Sequence, residues 1–267
     1  MAHFIQQVII LIPVGILAGI LSTVTGLASL VSYPALLALG LPPIVANVTN
    51  TTALVMTGIG SGLASKKELR GHGDELLKIL VIAVMGSLLG CVLLLVAPAS
   101  VFEHVVPFLI FVAGILLLLK ARQKIVPPVK INGVVHNAQN AIPMTKRTQI
   151  LFNVGIFCIG AYGGYFGAAA GVLMLALLAF EAKNEFPVYN AIKNVVLGAC
   201  NIVSTTIYTF TAHINWQVAV AMGIGLLIGG YIGPYIVRLV PARLLQIVIA
   251  FGAFGLAIDL FVKAFFN

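Results

Sequence analysis

The sequence predicts an all-α polytopic membrane protein with two inverted-topology repeats, each a re-entrant or broken helical hairpin plus three transmembrane helices. Two observations predict the class: the 267 residues are 61% hydrophobic and only 8% charged, and the apolar runs are long. Soluble domains carry about 25% charged residues, so a very apolar soluble protein is the weaker alternative. Barrel strands would instead alternate over about ten residues. A third observation, the similarity of the two halves, predicts the repeats.

Polar breaks separate eight apolar runs, at about 4–40, 44–65, 76–97, 105–119, 149–180, 188–210, 216–237 and 244–262. The longest break, 120–148, contains six Lys or Arg, three prolines and no acidic residue, which is typical of a linker. The sequence is therefore divided into membrane repeat 1 at 1–125, a basic cytoplasmic linker at 126–148, and membrane repeat 2 at 149–267.

The two halves align without a gap when the first is shifted by 143 residues. The most specific identities are two glycines four residues apart followed by a proline, at Gly86/Gly229, Gly90/Gly233 and Pro98/Pro241. Such glycine spacing favours close helix packing. An internal duplication of this kind is common in transporters.

The distribution of basic residues predicts how the halves are oriented. If the linker is cytoplasmic, Arg238 and Arg243 are also inside only when 149–180 enters and leaves on the same side. Two legs of ~14 residues are too short to span, so we expect a re-entrant hairpin broken in "GGYFGAAAG". The equivalent hairpin, 8–40, breaks in "STVTGLAS". Each repeat then has three further spans. Because three is an odd number, the second repeat is inverted relative to the first, and both termini lie outside the cytoplasm. In the rival topology 149–180 crosses fully, and the two arginines lie outside.

The second apolar run of each repeat, predicted as a helix, carries a stripe of polar residues on one face. In 188–210 the stripe spans an arc of about 120° on a helical wheel and contains Asn190, Lys193, Asn194, Asn201, Ser204, Thr205 and Tyr208. The equivalent positions in 45–65 are Asn47, Asn50, Thr51, Gly58, Ser61, Gly62 and Ser65. Asn, Ser and Thr also serve as contacts between membrane helices, which is the alternative for the neutral positions. Lys193 either serves function, as ionisable residues within spans usually do, or snorkels to the boundary.

The two breaks, "TGLAS" at 25–29 and "FGAAAG" at 166–171, predict helix N-termini at membrane depth. Such termini present N–H groups and a positive dipole end, which bind anions; tight packing of small residues is the alternative. Asp259 lies near the C-terminal end, and no other acidic residue is available near the centre. We therefore expect a small anion. The predicted substrate-binding set is Thr25, Gly26, Ser29, Asn47, Asn50, Thr51, Gly167, Ala168, Asn190, Lys193, Asn194 and Asn201.

Several of these segments together resemble the TauE/SafE sulfite exporter family. They are "STVTGLASLVSYPALLALGLPPIVANVTNTTALV", "ASKKELRG", "GGYFGAAAGVLMLALL" and "NAIKN", and the resemblance covers 12–262. It implies a multi-pass permease of the bacterial cytoplasmic membrane for sulfite, sulfoacetate, thiosulfate or other organic anions. The family's glycine-rich motif carries over to Gly26 and Gly167, but the neighbouring glycines are replaced, which leaves the choice of substrate open.

The leading hypothesis is a secondary transporter, expected to be an exporter, that works by alternating access around a midplane site. An anion channel and a permease for a non-sulfur anion are the alternatives. No catalytic constellation, metal-ligand spacing or nucleotide motif is present, so we expect neither an enzyme nor a cofactor, metal or nucleic-acid partner. Coupling to protons and assembly into an oligomer are compatible with the sequence.

Overall fold

The computed structural model describes residues 2–122, 130–131, 134–135, 145–180, 184, 186–236 and 242–266. The helices of this part are α1 (Ala2–Thr25), α2 (Ser29–Ala38), α3 (Pro43–Ala64), α4 (Gly73–Val96), α5 (Ala99–Arg122), α6 (Lys146–Tyr165), α7 (Ala170–Phe180), α8 (Phe186–Thr211), α9 (Trp216–Ile236) and α10 (Ala242–Phe265). Two short strands, β1 (Lys130–Ile131) and β2 (Val134–Val135), pair antiparallel between α5 and α6. The predicted helical class is confirmed; most of the predicted linker lies outside the described residues.

The outward-facing surface of the helices is apolar. Phe210 is 82% exposed, and Val96, Ile150 and Leu151 are similarly exposed large apolar side chains. Two described segments, Gly73–Val96 and Trp216–Gly233, are both long and apolar enough to cross a membrane. Shorter apolar helical segments include Ile9–Thr25 and Ala99–Ile115. An exposed surface of this kind fits a helix bundle surrounded by lipid.

Both predicted helix breaks are present. The helix of α1 ends at Thr25 and α2 begins at Ser29, while α6 ends at Tyr165 and α7 begins at Ala170. The backbone is left-handed at Gly26 and Gly167, with φ of 79° and 74°. Glycine adopts this conformation without the steric cost that a Cβ would add, and it commonly ends a helix.

The prediction of two equal short legs is wrong. The long helices α1 and α6 have 24 and 20 residues, and the following helices α2 and α7 have 10 and 11. At 1.5 Å per residue, α1 is about 36 Å long and α2 about 15 Å. The long helices begin before the predicted legs, at Ala2 and at Lys146, and the Thr145 hydroxyl caps α6 by accepting from the N–H of Thr148. Each pair is therefore a long helix followed by a half-helix; its re-entrant course in the membrane remains a prediction.

The two halves exchange contacts reciprocally. Helix α1 packs along α9, and its equivalent α6 packs along α4; α3 packs on α8, and α5 on α10. Glycines make the first two contacts close: a Cβ on Gly229 would meet the carbonyl oxygen of Ile16, and one on Gly86 would meet that of Phe157. These glycines therefore serve helix packing, as their spacing predicts. The exchange fits a duplicated chain, and inverted topology remains a prediction.

Candidate functional site

A small cavity lies where the two helix breaks meet α3 and α8. Its volume is about 50 Å³. A water molecule needs roughly 10–15 Å³ on this measure, so the cavity has room for about four water-sized groups. Ser29 at the start of α2 and Ala170 at the start of α7 both border it, together with Gly26 and Gly167 of the breaks. The cavity thus faces the N-terminal ends of both half-helices.

Equivalent positions of the two halves line this cavity. With the offset of 143 residues, the lining pairs are Thr51 with Asn194, Leu54 with Leu197, Thr57 with Cys200, and Gly58 with Asn201. Before the half-helices the offset is 141, and the pairs are Ser22 with Gly163, Gly26 with Gly167, and Ser29 with Ala170. From Ser29 and Ala170 onward the second half is two residues longer, because α7 is one residue longer than α2 and its connection to α8 is one residue longer than that from α2 to α3. The cavity therefore lies between matching surfaces.

Glycine backbones cross at the centre of the site. A Cβ on Gly26 would meet the Cα of Gly171 in the other break, and a Cβ on Gly171 would meet that of Gly26. A second crossing joins α3 and α8, where Gly58 and Gly198 face one another. Side chains at these positions would separate the breaks and the two stripe helices, so the glycines bring the polar groups of both halves to one cavity.

Two polar side chains of the cavity wall each have an atom without a hydrogen-bond partner in the described part of the chain. Asn194 is 6% exposed, and its Nδ2 has no hydrogen-bond acceptor among the described residues. The buried Thr57 hydroxyl likewise has none there. Leaving a buried donor unsatisfied costs about 1–3 kcal/mol. A bound acceptor would recover that cost, since both groups line the cavity.

Backbone donors add to this character. In the described part of the chain, the N–H groups of Ala28, Ala168 and Ala169 donate to no backbone carbonyl, and Ala28 borders the cavity. These residues precede or begin the first turns of α2 and α7, where N–H groups have no partner within the helix. The positive dipole ends of two half-helices therefore point toward the region of Asn194 and Thr57.

Lys193 lies beside the cavity but does not line it. The side chain is 0% exposed, and Nζ donates to the carbonyl oxygens of Ser22 at 3.1 Å and Thr23 at 3.3 Å. The buried amine reaches into the last turn of α1, which argues against the snorkelling alternative, and the functional role of Lys193 remains a prediction. Ser22 borders the cavity, so the lysine contacts a residue of the cavity wall without lining the cavity itself.

Half of the predicted substrate-binding residues border the cavity, namely Gly26, Ser29, Thr51, Gly167, Asn194 and Asn201. Of the others apart from Lys193, four make hydrogen bonds of their own, whereas Asn190 Oδ1 has no partner among the described residues; their role in binding remains a prediction. Thr25 donates to the Leu21 carbonyl, and the Ala168 carbonyl accepts from Tyr162. Asn47 donates to the Tyr165 carbonyl, and the Asn50 side chain bonds Ser29 and Ser32. Asn190 is half-buried.

The sequence did not identify Thr57, Ser22 or Cys200 as cavity residues, although all three line it. Thr57 lies at the edge of the polar stripe, where a hydroxyl resembles an ordinary contact between helices. Its equivalence to Cys200, which shares the polar face of α8, was the available signal. Ser22 precedes the break by one turn, and only the packed structure places it at the cavity.

Fold and site together define a helical membrane protein with a small polar site between two broken helices. The family model described as Sulfite exporter TauE/SafE matches residues 11–260. Since the match covers nearly the whole chain, the protein belongs to the TauE/SafE family, a family of membrane transporters. No solved structure matches the chain significantly.

Curated relatives agree with this assignment. A probable membrane transporter protein of a Sinorhizobium species is 25% identical over 252 residues, covering 91% of this chain and 88% of the relative. One from Haemophilus influenzae is 24% identical, covering 86% of this chain and 84% of its own. The Escherichia coli probable membrane transporter protein YfcA is 26% identical, covering 85% and 80%.

Proposed function

We propose that this protein is a secondary transporter of small sulfur-containing anions, with sulfite as the best candidate, in the bacterial cytoplasmic membrane. The observation that carries the proposal is the cavity between the helix breaks, where the Asn194 amide and the Thr57 hydroxyl have no partner among the described residues. The family description names sulfite export, and the relatives are named as probable membrane transporters.

The chemistry of the cavity supports an anion. Its donors are an amide nitrogen, hydroxyls and backbone N–H groups at two helix N-termini, all of which stabilise negative charge. Each hydrogen bond to a charged group contributes about 1.5–3 kcal/mol. None of the described lining residues is Asp or Glu, so no carboxylate of that set opposes an anion.

The size of the cavity supports a compact ion. With about 50 Å³ it has room for a pyramidal ion of the size of sulfite. The longer carbon chain of sulfoacetate would need a larger space than this conformation provides. Among the anions suggested by the sequence, we therefore favour sulfite over sulfoacetate, with thiosulfate in between.

Alternating access is the mechanism that we propose. The reciprocal packing of α1 on α9 and of α6 on α4 joins each broken helix to the other half. If the repeats are inverted, rocking one against the other would expose the same cavity to opposite sides of the membrane. We expect the direction to be export. An anion channel with the same site is the alternative function.

Uptake by proteoliposomes tests the proposal. The purified protein should take up sulfite faster than empty liposomes, and unlabelled thiosulfate should compete more strongly than sulfoacetate. Asn194→Leu should abolish most of this flux, whereas Ile202→Leu, on the exposed face of the same helix, should not. Equal flux in protein-containing and empty liposomes would contradict the proposal.

A further inference from the structure

We infer that Lys193 and Asn47 are positioning residues that hold the broken helices from the opposite half of the protein: Lys193 acts on α1, and Asn47 acts on α6. Neither is inferred to touch the substrate. The consequence for anion binding rests on the proposed function, whereas the contacts themselves can be tested without it.

Lys193 stabilises the C-terminal end of α1. The carbonyl groups of a helix's last turn have no partner within the helix and carry the negative end of its dipole. Nζ of Lys193 donates to two of the carbonyls there, those of Ser22 and Thr23, three and two residues before the end of α1. The Ser22 carbonyl also accepts from the N–H of Gly26 at 2.9 Å, so the buried amine gives that oxygen a second donor, bonds the Thr23 carbonyl, and opposes the negative dipole end.

Asn47 serves the same purpose at α6. Its Nδ2 donates to the carbonyl oxygen of Tyr165 at 2.9 Å, and Tyr165 is the last residue of α6. The Asn47 side chain is buried, so the contact is shielded from solvent. Phe166, the next residue, borders the cavity. The amide therefore fixes the helix end immediately before the second break.

The two contacts cross between the halves. Asn47 lies on α3 of the first half and holds a helix of the second; Lys193 lies on α8 of the second half and holds a helix of the first. The position equivalent to Lys193 is Asn50, which bonds Ser29 and Ser32 within its own half. Each half therefore uses a different position of the same stripe, one helical turn apart, to hold the other half's broken helix.

These contacts affect the electrostatic potential in the cavity. At each break a helix C-terminus and a helix N-terminus lie a few residues apart, and their dipoles have opposite effects on an anion. Donors that satisfy the C-terminal carbonyls reduce the negative contribution, so the N-terminal ends of α2 and α7 dominate. On this account Lys193 favours anions by acting through α1, without forming an ion pair with the substrate.

Hydrogen exchange and binding measurements on the same reconstituted variants test the inference. Lys193→Met should speed amide exchange of residues 22–29 by about tenfold or more, the loss expected for charged hydrogen bonds. Lys193→Arg, which keeps the donors, should restore the protection. Asn47→Leu should speed exchange of residues 162–169 and leave 22–29 unchanged. Asn190→Leu, at the position equivalent to Asn47, is the matched control and should alter neither segment.

The binding arm is run above the second pKa of sulfurous acid and uses sulfite and thiosulfate as dianions and nitrate and methanesulfonate as monoanions. If Lys193 positions α1, Lys193→Met should weaken both charge classes, dianions more than monoanions because the altered dipole contribution acts on the charge of the ion, and it should do so only together with faster exchange at 22–29. Unchanged exchange at 22–29, with dianions weakened much more than monoanions, would show that Lys193 contacts the substrate and would overturn the inference. If the wild-type protein binds none of the four ions, the proposed function fails, and the exchange measurements still decide whether the contacts hold the helices.

Discussion

Lys193 Nζ lies 3.1 Å from the carbonyl oxygen of Ser22, so a side chain of the second half is bonded to the broken helix of the first. The residues are 171 positions apart in the chain. We infer that this lysine, exceptional in an apolar helix, serves the C-terminal end of α1. Lys193 is not among the residues that line the cavity, although Ser22, whose carbonyl it bonds, is one of them.

We predict that Asn194→Leu weakens anion binding without unfolding the protein. Leu removes the Nδ2 donor that has no partner among the described residues, so the folded state loses no internal hydrogen bond from that atom. One hydrogen bond to an anion contributes about 1.5–3 kcal/mol, which corresponds to at least a tenfold rise in the dissociation constant for sulfite. Titration calorimetry in detergent measures it.

The control for this change is Ile202→Leu, since Ile202 lies on the same helix and is exposed. Its affinity and melting temperature should match the wild type. An Asn194→Leu protein that binds sulfite as tightly as the wild type would remove Asn194 from the site.

We predict that Gly171→Ala destabilises the protein. The added Cβ would meet the backbone of Gly26, so the two breaks could no longer cross at this distance. Overpacking of a tight contact costs about 1–3 kcal/mol. Thermal unfolding followed by tryptophan fluorescence should show a lower melting temperature than for Gly252→Ala, where nothing lies within 4 Å of the new Cβ. Equal melting temperatures for the two variants would contradict the crossing of the breaks.

We predict that Asn184→Asp weakens the connection between α4 and the segment before α8. Asn184 Nδ2 lies 3.0 and 2.8 Å from the two carboxylate oxygens of Glu75. Aspartate would replace a donor by a like charge at this partly buried position, which we expect to cost about 1 kcal/mol. The midpoint of chemical denaturation should fall. Asp74→Asn, at the exposed neighbour of Glu75, should leave it unchanged.

We predict that both termini lie outside the cytoplasm and that the basic segment 120–148 lies inside. This follows from the positive-inside rule applied to inverted repeats. Reporter fusions at the two termini, active only in one compartment, measure the orientation. Termini on opposite sides would favour the rival topology, in which 149–180 crosses the membrane completely.

The sequence located the helix breaks because their signal is local. Glycine in "TGLAS" and "FGAAAG" allows a left-handed backbone conformation that ends a helix, and the structure has this conformation at Gly26 and Gly167. The stripe pattern likewise identified Thr51, Asn194 and Asn201 before their common cavity was seen. Residues on one helix face are predictable from spacing alone.

The remaining features depend on packing between distant segments. The bonds of Lys193 to α1 and of Asn47 to α6 join residues more than a hundred positions apart. No local pattern shows which helix end a buried side chain will reach. The unequal lengths of α1 and α2 were also missed, because a helix continues through polar residues when no glycine or proline ends it.

Counterflow of sulfite tests the central claim most directly. Proteoliposomes loaded with unlabelled sulfite are diluted into a trace of labelled sulfite, and internal label is followed over time. A carrier with one cavity between two helix breaks should accumulate label transiently above the external concentration, and Asn194→Leu should not. Label that only equilibrates would indicate a channel, and label that does not enter faster than in empty liposomes would contradict the transport of sulfite.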